Sequence, residues 1–278
     1  MQASPLRYPG GKARVAPKIH EIINNISPRI STYYEPFCGG AGVALYLLLN
    51  DVVEYIAIND FDRAIYSFWR AVFFDTDKLV GAIEKAPLTI DEWRRQKSIY
   101  LNSSRYSVDY AFSTLFLNRS NRSGIISAGP IGGYKQEGLW RIDERFNKDK
   151  IINKIETVAK HKKRVKINNM DVRRYIRSQK FGKECFVFFD PPYVNNAMRL
   201  YKNSLLFEDH VEISRSIKGI DEASWIVTYD DTNIVRQLYA DCYITTLQIQ
   251  YCAANKRIAN ELLICNENTK NSMQSFVY

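Results

Sequence analysis

The 278-residue chain is poor in the features that mark several common protein classes. It has no apolar run approaching the roughly 20 residues that a membrane-crossing helix needs. Met1 to Lys12 holds charge, proline and glycine where a secretory leader requires an apolar stretch. Neither a membrane location nor secretion is therefore expected, and a cytoplasmic protein is. The five cysteines (Cys38, Cys185, Cys242, Cys252, Cys265) include no Cys-x-x-Cys pair, and the three histidines build no zinc-ligand spacing with them. No metal is expected. Most of the cysteines lie among apolar neighbours, as in Cys185-Phe186-Val187-Phe188, which reads as core thiols in a reducing compartment. Internal repeats and low-complexity segments are missing. Acidic residues are scarce relative to basic ones, 30 against 39, for a formal net charge of +9. That excess points to a polyanionic partner, although charge alone is equally compatible with a merely basic soluble protein. Hydrophobic residues make up 46%, ample for a core and too many for a disordered chain.

Short apolar runs predict buried strands over Thr32–Glu35, Tyr55–Asn59, Val165–Asn168, Cys185–Phe189 and Trp225–Tyr229. Helical stretches follow the first two, at Gly42–Asn50 and Ala64–Phe74. Alternating strands and helices imply an α/β fold, with a doubly wound parallel sheet covered on both faces. Tyr243–Tyr251 and Asn260–Cys265 read as two strands around a loop at Ala253–Ala259, so the sheet is expected to end in an antiparallel pair. Residues 76–163 hold no convincing buried strand. They carry helical runs at Ile90–Tyr100 and Val108–Leu117 and a loop at Gly129-Pro130-Ile131-Gly132-Gly133. They are read as a smaller, mainly helical domain inserted into a core domain formed by 1–75 and 164–278.

Four local features carry chemistry. Glu35-Pro36-Phe37-Cys38-Gly39-Gly40-Ala41-Gly42 follows a strand and opens a helix, where glycine lets the backbone approach a ligand. It lacks the Gly-Lys-Ser/Thr ending of a phosphate-binding loop. Asp60 ends the second strand, where a carboxylate accepts ribose hydroxyls or caps the next helix. Asp190-Pro191-Pro192-Tyr193 follows the fourth strand and is the most specific signal. A carboxylate, two prolines that leave carbonyls free to accept, and an aromatic ring make a polar ledge beside a stacking surface, suited to an exocyclic amine on a planar base. Arg7-Tyr8-Pro9-Gly10-Gly11-Lys12 places a cation and a ring near a turn, and reads either as a ligand contact or as a loose tail.

In this order the motifs resemble the Dam-like, alpha-group family of DNA adenine-N6 methyltransferases over nearly the whole chain. Leu117 to Ile125, Gly129 to Gly133 and the closing Asn260-Glu261-Leu262-Leu263-Ile264 share the likeness. The extra glycine in the Phe37–Gly42 turn departs from the family pattern and leaves open which glycine lies under the cofactor. The resemblance implies a Rossmann-like methyltransferase sheet with an inserted DNA-recognition domain. It implies S-adenosylmethionine as methyl donor, contacted by Tyr8, Lys12, Phe37, Gly39, Asp60, Asp171 and Asp190. Asp171 is equally well read as a helix N-cap. It also implies transfer to N6 of a flipped-out adenine by Asp190, Pro191, Pro192 and Tyr193.

The expected partner is double-stranded DNA. Arg119, Asn121 and Arg122 are candidates for base edges, and Lys135 and Arg141 for phosphates. Tyr134 is a candidate wedge. The run His161–Lys166 follows the DNA backbone or forms a solvated helix end. Trp93, Tyr110, Phe112 and Phe116 have core spacing. His210 is read as a loop or first-turn residue rather than a general base. A monomer, with a separately encoded restriction endonuclease as a potential functional partner, completes the expectation. Cytosine-N4 transfer, a DNA-binding protein that has lost catalysis, and a small-molecule methyltransferase are the alternatives.

Overall fold

The computed structural model describes residues 3–8, 10–194, 205–252 and 256–276. Pro9, and Ala253 to Asn255 of the expected terminal loop, lie outside them. The helices are α1 (Ala16–Asn24), α2 (Gly42–Leu49), α3 (Arg63–Phe74), α4 (Thr76–Lys85), α5 (Ile90–Asn102), α6 (Val108–Ser120), α7 (Lys148–Ala159), α8 (Val172–Ser178), α9 (Phe207–Lys218), α10 (Asn233–Leu238) and α11 (Glu267–Lys270). The strands are β1 (Thr32–Glu35), β2 (Tyr55–Asn59), β3 (Val165–Asn168), β4 (Cys185–Phe189), β5 (Ser224–Asp230), β6 (Tyr243–Cys252) and β7 (Lys256–Cys265).

The strands form one sheet of order β3-β2-β1-β4-β5-β7-β6, parallel from β3 to β5 and antiparallel at β7 and β6. The chain winds outward from β1 in one direction and from β4 in the other, so the crevice beyond the carboxyl ends of β1 and β4 is the topological switch point. Strand side chains alternate between two apolar clusters, as a pleated sheet buried on both faces requires. Phe186, Phe188, Ile226 and Leu263 join α1, α2 and α3 on one face. Val187, Phe189, Trp225, Val227 and Ile264 join α8, α9 and α10 on the other.

Helices α4, α6 and α7 pack on α3 and α5 packs on α6, all sharing one apolar cluster, with Trp93, Tyr110, Phe112, Phe116, Phe146 and Ile155 buried beside Phe68 and Phe73. The starts of α5, α6 and α7 are capped by side chains. Thr89 accepts from the Glu92 N–H at 3.2 Å, Ser107 from Tyr110 at 3.0 Å and Asn147 from Lys150 at 2.9 Å. The terminal hairpin departs from the expected boundary. Strand β7 begins at Lys256, so Lys256 to Ala259 lengthen the ladder with β6 instead of forming a loop. The sequence there opens with two cations, Lys256 and Arg257, and a hairpin arm pairs through backbone groups without requiring the apolar run that marks a core strand.

Candidate active site

A cavity of about 490 Å³ opens beyond the carboxyl ends of β1 to β4. Its walls come from the Phe37–Gly42 turn, from Asp60 to Asp62, from Asp171 to Arg173, from Asp190 and Pro192, and from the N-terminal segment. Buried Asn59 ties three of these loops together. Its Nδ2 donates to the carbonyls of Pro36 and Met170, each at 3.0 Å, and its Oδ1 accepts from the Met170 N–H at 2.9 Å.

Asp60 takes two backbone N–H groups, from Gly39 at 2.8 Å and from Asp62 at 2.9 Å. The helix cap is Asp62, which accepts from Ala64 at 2.8 Å, so Asp60 instead locks the Gly turn to the second strand end. Burial first, and then the charge of Asp62, pushes the Asp60 carboxyl up to about 7. Asp171 is the N-cap of α8, accepting from Arg173 N–H at 3.0 Å, and also faces the cavity. The Arg173 guanidinium beside it holds its carboxyl below the usual range and also reaches Asp209 and Glu212.

The glycines of the turn make room for the N-terminal segment. At Gly39, with φ +43, a Cβ would lie 2.6 Å from the Tyr8 ring; at Gly40 it would lie 2.8 Å from the Tyr8 Cβ; at Gly42, 2.8 Å from the Ala13 Cβ. Trp69 Nε1 donates to the Gly39 carbonyl at 2.8 Å and fixes the turn from below. Tyr8 thus lies against the turn that Phe37 opens, and both residues line the cavity.

Lys12 is buried and bridges both oxygens of Asp190, at 2.9 and 3.1 Å. Its Nζ also donates to the Gly10 carbonyl at 3.2 Å, lies 3.6 Å from Glu261, and sits 5.0 Å from the Tyr193 ring centroid. Asp190 Oδ1 further accepts from Thr228 Oγ1 at 2.7 Å and from the Tyr193 hydroxyl at 3.4 Å. Pro192 lines the cavity, while Pro191 is buried behind it. The chain leaving this ledge is held by Asp230, whose Oδ1 accepts from Val194 N–H at 3.1 Å.

Glu35 is the first residue of the Glu35–Gly42 segment. It is buried at the end of β1, and its Oε2 accepts from the Ala44 N–H at 2.9 Å, in the first turn of α2. The residue at the N-cap position, Ala41, has no side chain to cap with, so Glu35 serves that helix end. Burial pushes its carboxyl up to about 8 despite the Ala44 bond. The folded state therefore keeps a proton that the unfolded chain releases near 4.5, and stability falls as pH rises from about 4.5 to about 8. Glu35→Gln keeps an acceptor for Ala44 and removes the titration. The melting temperature of this variant minus that of wild type is expected to grow steadily from pH 5 to pH 8. A constant difference in thermal unfolding across that range would contradict the assignment.

The remaining candidates separate sharply. Asn121 is fully buried, accepts from Trp93 Nε1 at 2.6 Å, and donates to the carbonyls of Ile125 and Ile126. It is a structural clamp with no edge left for a base, which corrects the expected contact. Arg122, Tyr134, Lys135 and Arg141 are exposed, and Tyr134 meets Trp93 edge-on at 5.5 Å. Arg119 is largely buried beside Arg7. The His161–Lys166 run sits at the amino end of β3, across the sheet from the cavity. There Arg164 is occupied by Asp51 and by the carbonyls of Val53 and Glu54, while Lys162, Lys163 and Lys166 are exposed. His210 is buried in the first turn of α9, with Nδ1 2.6 Å from the Tyr229 hydroxyl. Among the described residues no group of three His, Cys, Asp or Glu side chains is arranged to hold a metal, and no helix is long and apolar enough to cross a membrane.

Reading by motif missed Thr228, Asp230 and Glu261. Asp230 ends β5, much as Asp190 directly follows β4, and Glu261 is a carboxylate inside an apolar strand, a position that demands a buried partner. Those were the available signals.

A family model described as D12 class N6 adenine-specific DNA methyltransferase matches residues 8–253. The chain is 27% identical over 208 residues to the Type II methyltransferase M.MjaIII of Methanocaldococcus jannaschii, covering 69% of this chain and 70% of that protein. It is 26% identical over 256 residues to the Type II methyltransferase M.CviBI of Paramecium bursaria Chlorella virus NC1A, covering 87% of each. Among solved structures it is similar to the rRNA methyltransferase aviRa from Streptomyces viridochromogenes, with TM-score 0.41, 11% identity, and coverage of 96% of this chain and 88% of that one. The chain belongs to the D12 class of N6 adenine-specific DNA methyltransferases.

Proposed function

We propose that the cavity holds S-adenosylmethionine and that Asp190 to Tyr193 receive a flipped-out adenine beside it. The observation that carries this reading is the donor set around the cavity: Asp60, Asp171 and Asp190 as acceptors, Phe37 and Phe61 as apolar walls, and Lys12 as the cation. That set suits a ligand with ribose hydroxyls, a planar ring and both charges of an amino acid. The volume lies within the usual range for ligand sites, about 300–1,000 Å³. When bound, the donor supplies an electrophilic sulfonium methyl.

The chain's own residues do the rest. The adenine amine is a weak nucleophile because its lone pair is delocalised into the ring. Asp190 Oδ2 and the Pro191 carbonyl accept its two N–H bonds and favour a more tetrahedral nitrogen. Tyr193 stacks on the base, which must leave the duplex to be reached. Holding the amine in line with the methyl supplies several kcal/mol by positioning alone. Thr228, Lys12 and Glu261 keep the Asp190 carboxylate in place.

DNA lies across residues 76–163 as a target-recognition region. Arg122, Lys135 and Arg141 are exposed there beside Leu139 and Trp140, which are 88% and 56% exposed. Apolar side chains flanked by cations suit insertion between base steps. Pairing with a separately encoded restriction endonuclease, and action as a monomer, complete the proposal.

Labelled methyl transfer to mixed-sequence duplex DNA, followed by digestion and identification of the labelled base, tests the reading. Label in N6-methyladenine is expected. Label in N4-methylcytosine, or none despite donor binding, would overturn it.

A further inference from the structure

Four cations converge beside the N-terminal segment. Arg119 stands in the last turn of α6, and its buried Nε has no hydrogen-bond partner among the described residues. Arg7 is brought to it by the neighbouring Asn118, whose Oδ1 accepts from the Arg7 N–H at 2.8 Å and whose Nδ2 donates to the Arg7 carbonyl at 2.9 Å. Gly124 closes on that carbonyl so tightly that any Cβ would collide with it. Arg145 is carried in by Phe146, whose ring packs at 5.3 Å on Phe116, one turn before Arg119 on the same helix. Lys154 reaches in from α7 and donates to the Ser4 carbonyl at 3.2 Å.

The group is poorly compensated. Among the described residues its carboxylate contact is Glu144, 3.8 Å from the adjacent Arg145. Burial, and then the charges of Arg7 and Arg145, push the Arg119 guanidinium down to about 10; burial and Arg119 lower the Lys154 amine in turn. The carbonyl end of α6 offsets some of the repulsion, and Arg7 Nη1 lies 3.4 Å from the Asn121 carbonyl. That helix end nevertheless provides no acceptor for the Arg119 Nε. The Nε is closed to solvent, so an oxyanion would bind at the other guanidinium nitrogens and neutralise the cluster through charge-assisted bonds.

We propose that Arg7, Arg119, Arg145 and Lys154 form a receptor for one phosphodiester group of the substrate DNA strand. The inference rests on the DNA-methyltransferase reading. A DNA phosphate is favoured over a free anion by position. Arg7 immediately precedes Tyr8, a wall of the cavity, and Arg122 of the exposed DNA-facing set follows Arg119 by three residues. Arg119 then fixes the strand by its backbone and reads no base edge, so its contribution is the same for every sequence.

The test is duplex binding by fluorescence anisotropy over a series of salt concentrations, for wild type, Arg119→Gln and the exposed Arg145→Gln. Each variant is expected to bind more weakly, by the same factor on cognate and unrelated duplexes, with a log Kd against log salt slope shallower by about one. A duplex scanned with single neutral methylphosphonates should weaken wild type at one position near the target adenine, and Arg119→Gln should be indifferent there. A fold defect in Arg119→Gln would leave Arg145→Gln and the wild-type scan to decide. Unchanged slopes for both variants, with wild type binding and methylating normally, would sink this site alone. A wild type that neither binds nor methylates duplex would sink the methyltransferase reading with it. Stabilisation of wild type by inorganic phosphate, with no sensitive position in the scan, would assign the cluster to a free anion and overturn the DNA assignment.

Discussion

Asp190→Ala is expected to lower kcat for methyl transfer by at least about 10³-fold, the scale seen when a group aimed at developing charge is removed. The reason is the number of groups that converge on this carboxylate. Its two oxygens offer about four acceptor positions. Thr228 and the Tyr193 hydroxyl take Oδ1, and Lys12 bridges both oxygens. Asp190 lines the cavity, and in the proposed function its remaining acceptor position takes an N–H of the adenine amine. Alanine removes that acceptor and releases Lys12 from the ledge. Asparagine is not a mild replacement, because Lys12 bridges both oxygens and the NH₂ would face its ammonium, a pure donor, in either orientation. Asp190→Asn is therefore expected to fall nearly as far. Single-turnover transfer, with donor binding measured separately, checks this. A variant that binds the donor and still transfers within tenfold of wild type would remove Asp190 from the chemistry.

The central sheet was legible in the sequence because its inner strands read as apolar runs, most plainly at Cys185–Phe189, and the order of elements located the rest. Thr32–Glu35, Tyr55–Asn59, Val165–Asn168 and Cys185–Phe189 fall on the observed strands residue for residue. The ledge was legible because aspartate and two prolines after such a run have few structural uses. On its own, though, the ledge accepts any planar exocyclic amine, and it is the order of motifs along the chain that points to adenine. What could not be read was compensation at a distance. Glu261 lies 249 positions from Lys12 and Glu35 caps a helix that starts seven residues later; no local pattern pairs either with its partner. Asn121 failed as a base contact for the same reason. An asparagine among arginines resembles a recognition loop, and only packing reveals Trp93 over its amide oxygen. The two readings of the basic run near Arg164 stayed open because charge along a chain carries no information about which end of a sheet it occupies.

Lys12→Met is expected to lose both activity and stability, and the two losses separate. Lys12 is the shared cation between Asp190 and Glu261, with Lys12 and Glu261 side chains 4% and 2% exposed. Removing one member of a buried ion pair costs about 3 kcal/mol or more, since the partner is left charged without compensation. Burial already raises the Glu261 carboxyl, while Lys12 is what pulls it back. Without Lys12 that carboxyl rises further. A carboxyl raised in the folded state contributes stability below its unfolded pKa and loses it as pH climbs through the folded one. The deficit of Lys12→Met relative to wild type should therefore be small at pH 5 and larger at pH 8. Glu261→Gln added to Lys12→Met removes the stranded charge while keeping the shape. The double variant is expected to regain most of the lost melting temperature at pH 8 and none of the methyl transfer, because Asp190 still lacks its cation. Recovery of both together would mean that Lys12 serves only the fold. A deficit independent of pH, unrelieved by Glu261→Gln, would mean that the lysine stem and not its charge carries the stability.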